Sequence, residues 1–367
     1  MEPFNESRTV HQSPDGTSWG EGTATPADSF LVPTFLRMLA DPSIKTVMLC
    51  GCGGGFDFVH SLTLYPELRR LGKGVVIGSY SFGDPNEIAE ATDVFNEAGA
   101  LARRVSAASI PDGYYGPEVH VCSFLDLRYP PSAPHFVYAY YARAFTVPAL
   151  TRFYRQLVEK HSVDAIVLVD GGSDSIMAGD EEGLGDPIED AVSVATVASL
   201  EGLKAKVLIS IGLGTDRFNQ VSDAASLRAI AELTRMGGFL GSLGLEPQAP
   251  GSRFYRDCLE HIYRRQGFRS VLAGTIASAV DGWFGRDEVP PELQQRVRPG
   301  DLFLWPLMAM LWAFDVETVA RRSLIATWIR ECRSVPECYA ALYGGRDRLG
   351  AQLRDVENFP RHEEMRS

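Results

Sequence analysis

Three short apolar runs in this chain finish in the same way, and that repetition constrains the fold more than any other feature. Thr46–Cys50, Ala165–Val169 and Ala205–Ile211 each lead into glycines followed by an aspartate: GGGFD ending at Asp57, GGSD at Asp174 and GLGTD at Asp216. Apolar runs of this length, bounded by turn residues, suit strands covered on both faces, as in a parallel sheet. Helical patterns follow. FVHSLTLYPELRRLG runs to Gly72, and a second helix starts at Asp186-Pro187, where Asp suits the N-cap and Pro the first helical position. The expected fold class is therefore α/β, with a doubly wound, mainly parallel sheet and a helical C-terminal subdomain. Parallel neighbours would bring Asp57, Asp174 and Asp216 to one rim, the carboxyl edge at which open α/β sheets bind ligands. Asp84, after the Gly74–Tyr80 strand, is a fourth candidate there.

The chain divides into a polar stretch at 1–28 that reads as a mobile arm, an α/β core at 29–236, an Arg-rich and mostly helical portion at 237–360 packed on that core, and a tail at 361–367. The apolar run LFLWPLMAMLWAF, Leu302 to Phe314, could be a central strand or a buried helix. It is shorter than the ~20 residues that span a bilayer. A short strand is expected around His120-Val121-Cys122, and helical stretches within Asp84–Ala100.

A net charge of −12 argues against nucleic-acid partners, and the start of the chain carries no apolar or Arg-rich targeting pattern. The expected setting is cytoplasmic, without a membrane, and the expected partner is a small-molecule substrate. A homo-oligomer is compatible with the sequence, although no heptad supports it. The six cysteines lack metal-binding spacing and read as reduced, buried thiols; a nucleophilic Cys50 or Cys52 beside Gly51 is the sharper alternative.

The candidate chemistry is carried by carboxylates on glycine turns. No Lys or Arg occurs between Lys160 and Lys204. Asp174 is the candidate general base or metal ligand, with Asp57, His60 and Glu181 as further catalytic candidates. Asp57 precedes His60 by three residues at a helix start, so the carboxylate could orient the imidazole. Glu181 belongs to an acidic triplet, Asp180-Glu181-Glu182, that reads equally well as solvated surface. Asp186, Glu189 and Asp190 are assigned to helix capping and the helix dipole. Gly53, Gly54, Gly55, Asp84, Asp170, Gly171, Gly172, Ser173, Ser175, Gly212, Gly214, Asp216 and Arg217 are candidate substrate contacts, Arg217 through a bidentate grip on an anion. The glycines do not complete GxGxxG and no acid closes the second strand, which removes the warrant for a nicotinamide dinucleotide.

GCGGGFDFVH at 51–60, VLVDGGSDSIMAGDEEGLGDPIEDA at 167–191 and IGLGTDRF at 211–218 together resemble the domain-of-unknown-function 1152 family of prokaryotes, over roughly Phe30 to Cys332. The resemblance implies an α/β fold and places the site at these loops, without supplying a reaction. GGSDS at 171–175 is also similar to the SGGxDS loop of ATP pyrophosphatases, with Asp170 where the first Ser would stand.

Carboxylates gathered on one rim repel, so keeping them ionised needs a cation, a basic substrate group or strong donors. Mg2+ or another divalent cation is the candidate cofactor. The expected function is hydrolysis or group transfer on a polar nucleotide- or sugar-like substrate, by a hydrolase or transferase. An ATP-dependent adenylating ligase and a non-catalytic small-ligand-binding protein are the alternatives.

Overall fold

The structure, a computed structural model, describes residues 32–111, 115–286, 289–294, 302–350 and 353–354. The segments read as an arm and a tail, 1–28 and 361–367, lie outside them. Along the chain the strands are β1 Thr46–Gly54, β2 Gly74–Ser81, β3 Ile88–Ala89, β4 Thr92–Glu97, β5 Ala100–Ser106, β6 Ile110–Pro111, β7 Phe136–Tyr141, β8 Ala165–Asp170, β9 Ala205–Ile211, β10 Phe239–Gly244 and β11 Met310–Asp315. Nine of them form one sheet in the order β10, β11, β9, β8, β1, β2, β7, β5, β4, while β3 and β6 pair separately. The centre, from β9 to β7, is parallel; the outer pairs on both sides are antiparallel.

The apolar runs are continuous because both faces of the central strands are covered. Val47, Leu49, Val167 and Val169 point to one layer, with helices Pro117–Arg128, Pro250–Tyr263 and Val271–Val280. Met48, Cys50, Ile166 and Leu168 alternate to the other, with Val147–His161, Ile188–Ser199 and the helices after Val316. Each such side chain contributes roughly 2 kcal/mol by leaving water. The starts of β1, β8 and β9 are held together by Asp164, whose Oδ2 accepts from the amides of Lys45 (2.6 Å) and Thr46 (3.1 Å) while Oδ1 pairs with Lys204 Nζ at 2.8 Å.

The α/β expectation holds, with corrections of detail. The C-terminal portion is mostly helical but also supplies β10 and β11 to the sheet, and β11 lies within the ambiguous apolar run. The segment around His120 is inside a helix rather than a strand: Pro117 opens it, and Val121, Cys122 and Leu125 recur at helical spacing on its buried side. Thr92–Glu97 is a strand where helical stretches were expected, paired antiparallel with β5. β1 runs on through its glycines to Gly54 across an irregularity after Cys50, so these glycines belong to the strand's end more than to a turn.

The topology places the site. From β1 the chain moves outward through β2 to β7, then returns to the opposite side of β1 for β8 and β9. The order therefore reverses between β1 and β8, and the crevice beyond their carboxyl ends is the position at which such sheets receive ligands.

Candidate functional site

A cavity of about 830 Å³ opens at that crevice. Residues that follow β1, β2, β7, β8 and β9 line it together: Gly53–Asp57, Asp84, Arg143, Asp170, Gly171, Asp174 and Asp216, with Asp186, Glu189 and Asp190 from the approach and first turn of the Ile188–Ser199 helix. The parallel register brings strand ends that are distant in sequence to one rim.

Most of these acids have assigned donors. Asp57 accepts from the amide of Gly53 on Oδ2 (2.9 Å) and from that of Gly171 on Oδ1 (3.1 Å), bridging the ends of β1 and β8. Asp216 Oδ2 takes the Ser173 amide at 2.6 Å, and Asp174 Oδ2 takes the Asp186 amide at 3.2 Å. The Ser175 hydroxyl donates to Asp170. Asp190 differs: it is buried, and its Oδ1 has no partner. Carboxylate oxygens of Asp57, Asp170 and Asp190 lie within 4.8 Å of one another, a spacing at which three acids can hold one metal ion.

Such a cluster is costly without a counter-charge. Burial pushes Asp57 up to about 7, against the two amides that favour its charged form, and pushes Asp216 up to about 8 with help from the Asp170 charge. Asp170, Asp174 and Asp190 are raised by burial first and then by their neighbouring carboxylates. Glu189 rises to about 7 through burial and the Asp186 charge. His60 moves down to about 3 because its burial disfavours the imidazolium. Against nine lining carboxylates, Arg143 is the single Lys or Arg among the described lining residues.

Part of the lining is aromatic. Phe56, Tyr115 and Phe268 pack edge-on or tilted at 5.2–6.3 Å between ring centroids, and Phe82 lies against Gly54 and Gly55 with half its surface open. The lining thus combines carboxylates that suit a cation with rings that suit a flat group.

Other candidates fall elsewhere. Glu181 is not in the cavity: its carboxylate accepts the amides of Ala178 (2.9 Å) and Gly179 (2.8 Å) and pairs with Arg322 and Arg354, which fastens the loop after β8. Arg217 is turned away, bound to Asp223 at 2.8 Å and stacked on Phe303 and Trp305, so it does not grip a ligand in the cavity. Gly212 and Gly214 shape the turn after β9 against Ile276 and Trp305 and are not lining residues. Gly172 makes room for Asp216, and Ser173 and Ser175 spend their polar groups inside the site's own framework. Asp57 does not orient His60; the imidazole Nδ1 meets Tyr255 Oη at 2.9 Å instead. Cys50 and Cys52 are buried, with Cys50 pushed up to about 12, as small core residues should be.

A family profile described as protein of unknown function (DUF1152) matches residues 144–344, more than half of the chain. The chain belongs to the DUF1152 family. Asp170, Asp174, Asp190 and Asp216 fall within the matched DUF1152 segment, whereas Asp57 and His60 precede it. No curated protein and no solved structure matches significantly.

Asp190 and Arg143 were the readable omissions. The sequence assigns Asp190 to the helix dipole, although an acid-rich first turn after a glycine loop with no basic residue nearby also aims charge at the strand ends. Arg143 escaped because it follows β7, a strand hidden in a segment rich in Pro and Tyr.

Proposed function

We propose that the protein is an enzyme that uses a divalent cation to hydrolyse, or transfer a group on, a polar nucleotide- or sugar-like substrate. The observation that carries this reading is the convergence of Asp57, Asp170 and Asp190. Hard oxygen donors at that spacing suit Mg2+ or Mn2+. A cation there offsets the repulsion among the acids, polarises a substrate oxygen and acidifies a bound water. Asp174 and Asp216 stand beside the triad, one as base and one to position the substrate. Arg143 supplies a counter-charge for a substrate anion, and the aromatic part of the lining accepts a ring.

The ligase reading has less support. It needs free donors between residues 171 and 175 for pyrophosphate, yet the Gly171 and Ser173 amides and the Ser175 hydroxyl are already given to Asp57, Asp216 and Asp170.

The test is a turnover screen over nucleoside phosphates, phosphosugars and glycosides, with Mg2+ or Mn2+ and with chelator. Turnover that needs the cation and falls at least about 100-fold in Asp170→Asn supports the reading. Turnover indifferent to chelator would refute it. Tight binding of a panel member without turnover would make the protein a ligand-binding one, and pyrophosphate release from ATP would restore the ligase.

A further inference from the structure

We infer that the substrate of this cavity is an amino sugar or a close relative of one, whose protonated amino group is received by the acids outside the triad. The inference rests on the reading above, which makes this cavity the substrate site, and adds the charge of the substrate.

The cavity is more acidic than one metal ion accounts for. A divalent cation on Asp57, Asp170 and Asp190, together with Arg143, offsets three of the nine lining charges. Asp84, Glu87, Asp174, Asp186, Glu189 and Asp216 remain. Many other acids of the chain are neutralised where they stand, as Asp164 is by Lys204, Asp223 by Arg217 and Glu232 by Arg322 and Arg354. Among the described residues no salt bridge reaches any of the nine. Like charges gathered in a cleft focus the field and draw in ligands of the opposite sign. A substrate with only negative groups would add to the repulsion instead.

A buried atom without a partner marks the same need. Asp190 is 4 % exposed, and its Oδ1 accepts no hydrogen bond. Both of its oxygens approach the end of β1 that lines the cavity: a Cβ on Gly53 would fall 3.2 Å from Oδ1 and 2.8 Å from Oδ2. The triad asks one ligand atom of each acid, so the second oxygen of Asp190 stays open to an N–H donor. A buried carboxylate oxygen left without a donor is costly. An ammonium brings three donors and no acceptor, and so matches a lining of acceptors that a neutral hydroxyl, with one donor, answers only in part. The half-exposed ring of Phe82, in the same lining, adds a surface that attracts a cation. Arg143 is exposed and in no salt bridge among the described residues, which leaves a place for an anionic group on the same molecule, as in a phosphorylated amino sugar.

The experiment titrates the full chain calorimetrically, first with Mn2+ alone and then, with Mn2+ present, with matched sugars: glucosamine against glucose and N-acetylglucosamine, and glucosamine 6-phosphate against glucose 6-phosphate. The aminated member of each set should bind at least about tenfold tighter than its uncharged-nitrogen or hydroxyl counterpart. That advantage should shrink as salt is raised. Glu87→Gln and Glu189→Gln, outside the triad, should each reduce it by about threefold while still binding Mn2+, which certifies their fold. Should either variant fail to fold, the matched sugars on the wild type decide. Equal affinity within the sets, or no binding of either aminated sugar at millimolar concentration, would overturn the inference. The Mn2+ titration judges the cation reading separately: a wild type that takes no Mn2+ yet prefers the amines refutes that reading and keeps this one.

Discussion

Gly53 and Asp190 approach so closely that a single methyl group on the glycine would fall 2.8 Å from the Asp190 carboxylate. The glycine at the end of β1 therefore keeps open the space between two acids, Asp57 and Asp190, that lie 133 positions apart in the chain. Gly53→Ala should fold, because its backbone is not among the left-handed positions, and should weaken divalent-cation binding at least about tenfold, or 1.4 kcal/mol. Isothermal titration with Mn2+ checks this, and wild-type affinity in the variant would contradict it.

Asp190 raises the opposite expectation for stability. Its buried carboxyl group, with Oδ1 unpartnered, adds to the repulsion among the acids in the cation-free protein. Asp190→Asn keeps the shape and removes the charge, so the chelated variant should melt about 2 °C or more above chelated wild type. The same variant should lose the rise in Tm expected when the wild type binds a cation. Differential scanning fluorimetry with and without Mn2+ reads both effects.

Asp174→Asn should lower kcat by about 100-fold or more once a substrate has been found, with an unchanged melting profile in the presence of cation. Near-wild-type turnover would remove Asp174 from the chemistry and pass the role of base to Asp216.

Glu181 offers the contrasting case. Replacing it by Ala removes the acceptor for two buried amides and leaves Arg322 short of one partner, and breaking a buried pair in this way costs about 3 kcal/mol. Glu181→Ala should therefore unfold at lower urea concentration, while kcat per folded molecule stays within about threefold of wild type. A selective loss of kcat without loss of stability would return Glu181 to the catalytic set.

Asp164 should make the fold sensitive to acid. The Lys204 ammonium and the Lys45 and Thr46 amides hold its carboxyl below the ordinary aspartate range, which lies at about 4 in an unfolded chain. The stabilisation is therefore complete above about pH 4 and drains away as the pH falls through the lower folded value. The gap in Tm between wild type and Asp164→Asn should be widest near neutrality and close as the solution is acidified. A gap that widened with acid would show the sign to be wrong.

The sequence was most readable where a strand is covered on both faces. Ala205–Ile211 announced β9 residue for residue, and the same logic placed β1, β2 and β8, because burial there demands an unbroken β-branched run. It failed at β7 and β4. The aromatics of FVYAYY sit in a segment whose prolines and tyrosines suggest a loop, and TDVFNE owes its strand to pairing with β5 rather than to its own composition. In the site, the convergence of Asp57, Asp174 and Asp216, with Asp84, followed from strand ends that share one rim. What the sequence concealed was direction. Nothing local told that Arg217 would turn toward Asp223, that Glu181 would be claimed by arginines 141 and 173 residues away, or that Tyr255 would hold His60. Those outcomes depend on packing between segments far apart in the chain.

The reversal of strand order between β1 and β8 has a kinetic consequence. Asp57 belongs to the side of the sheet that starts at β1, and Asp170 and Asp190 to the side that starts at β8, so the triad is complete only when the two sides have joined along that single seam. An ion that needs all three acids finds no site in a half-built sheet. It cannot help nucleate folding and acts only on the finished molecule, slowing the seam's opening rather than hastening its closure.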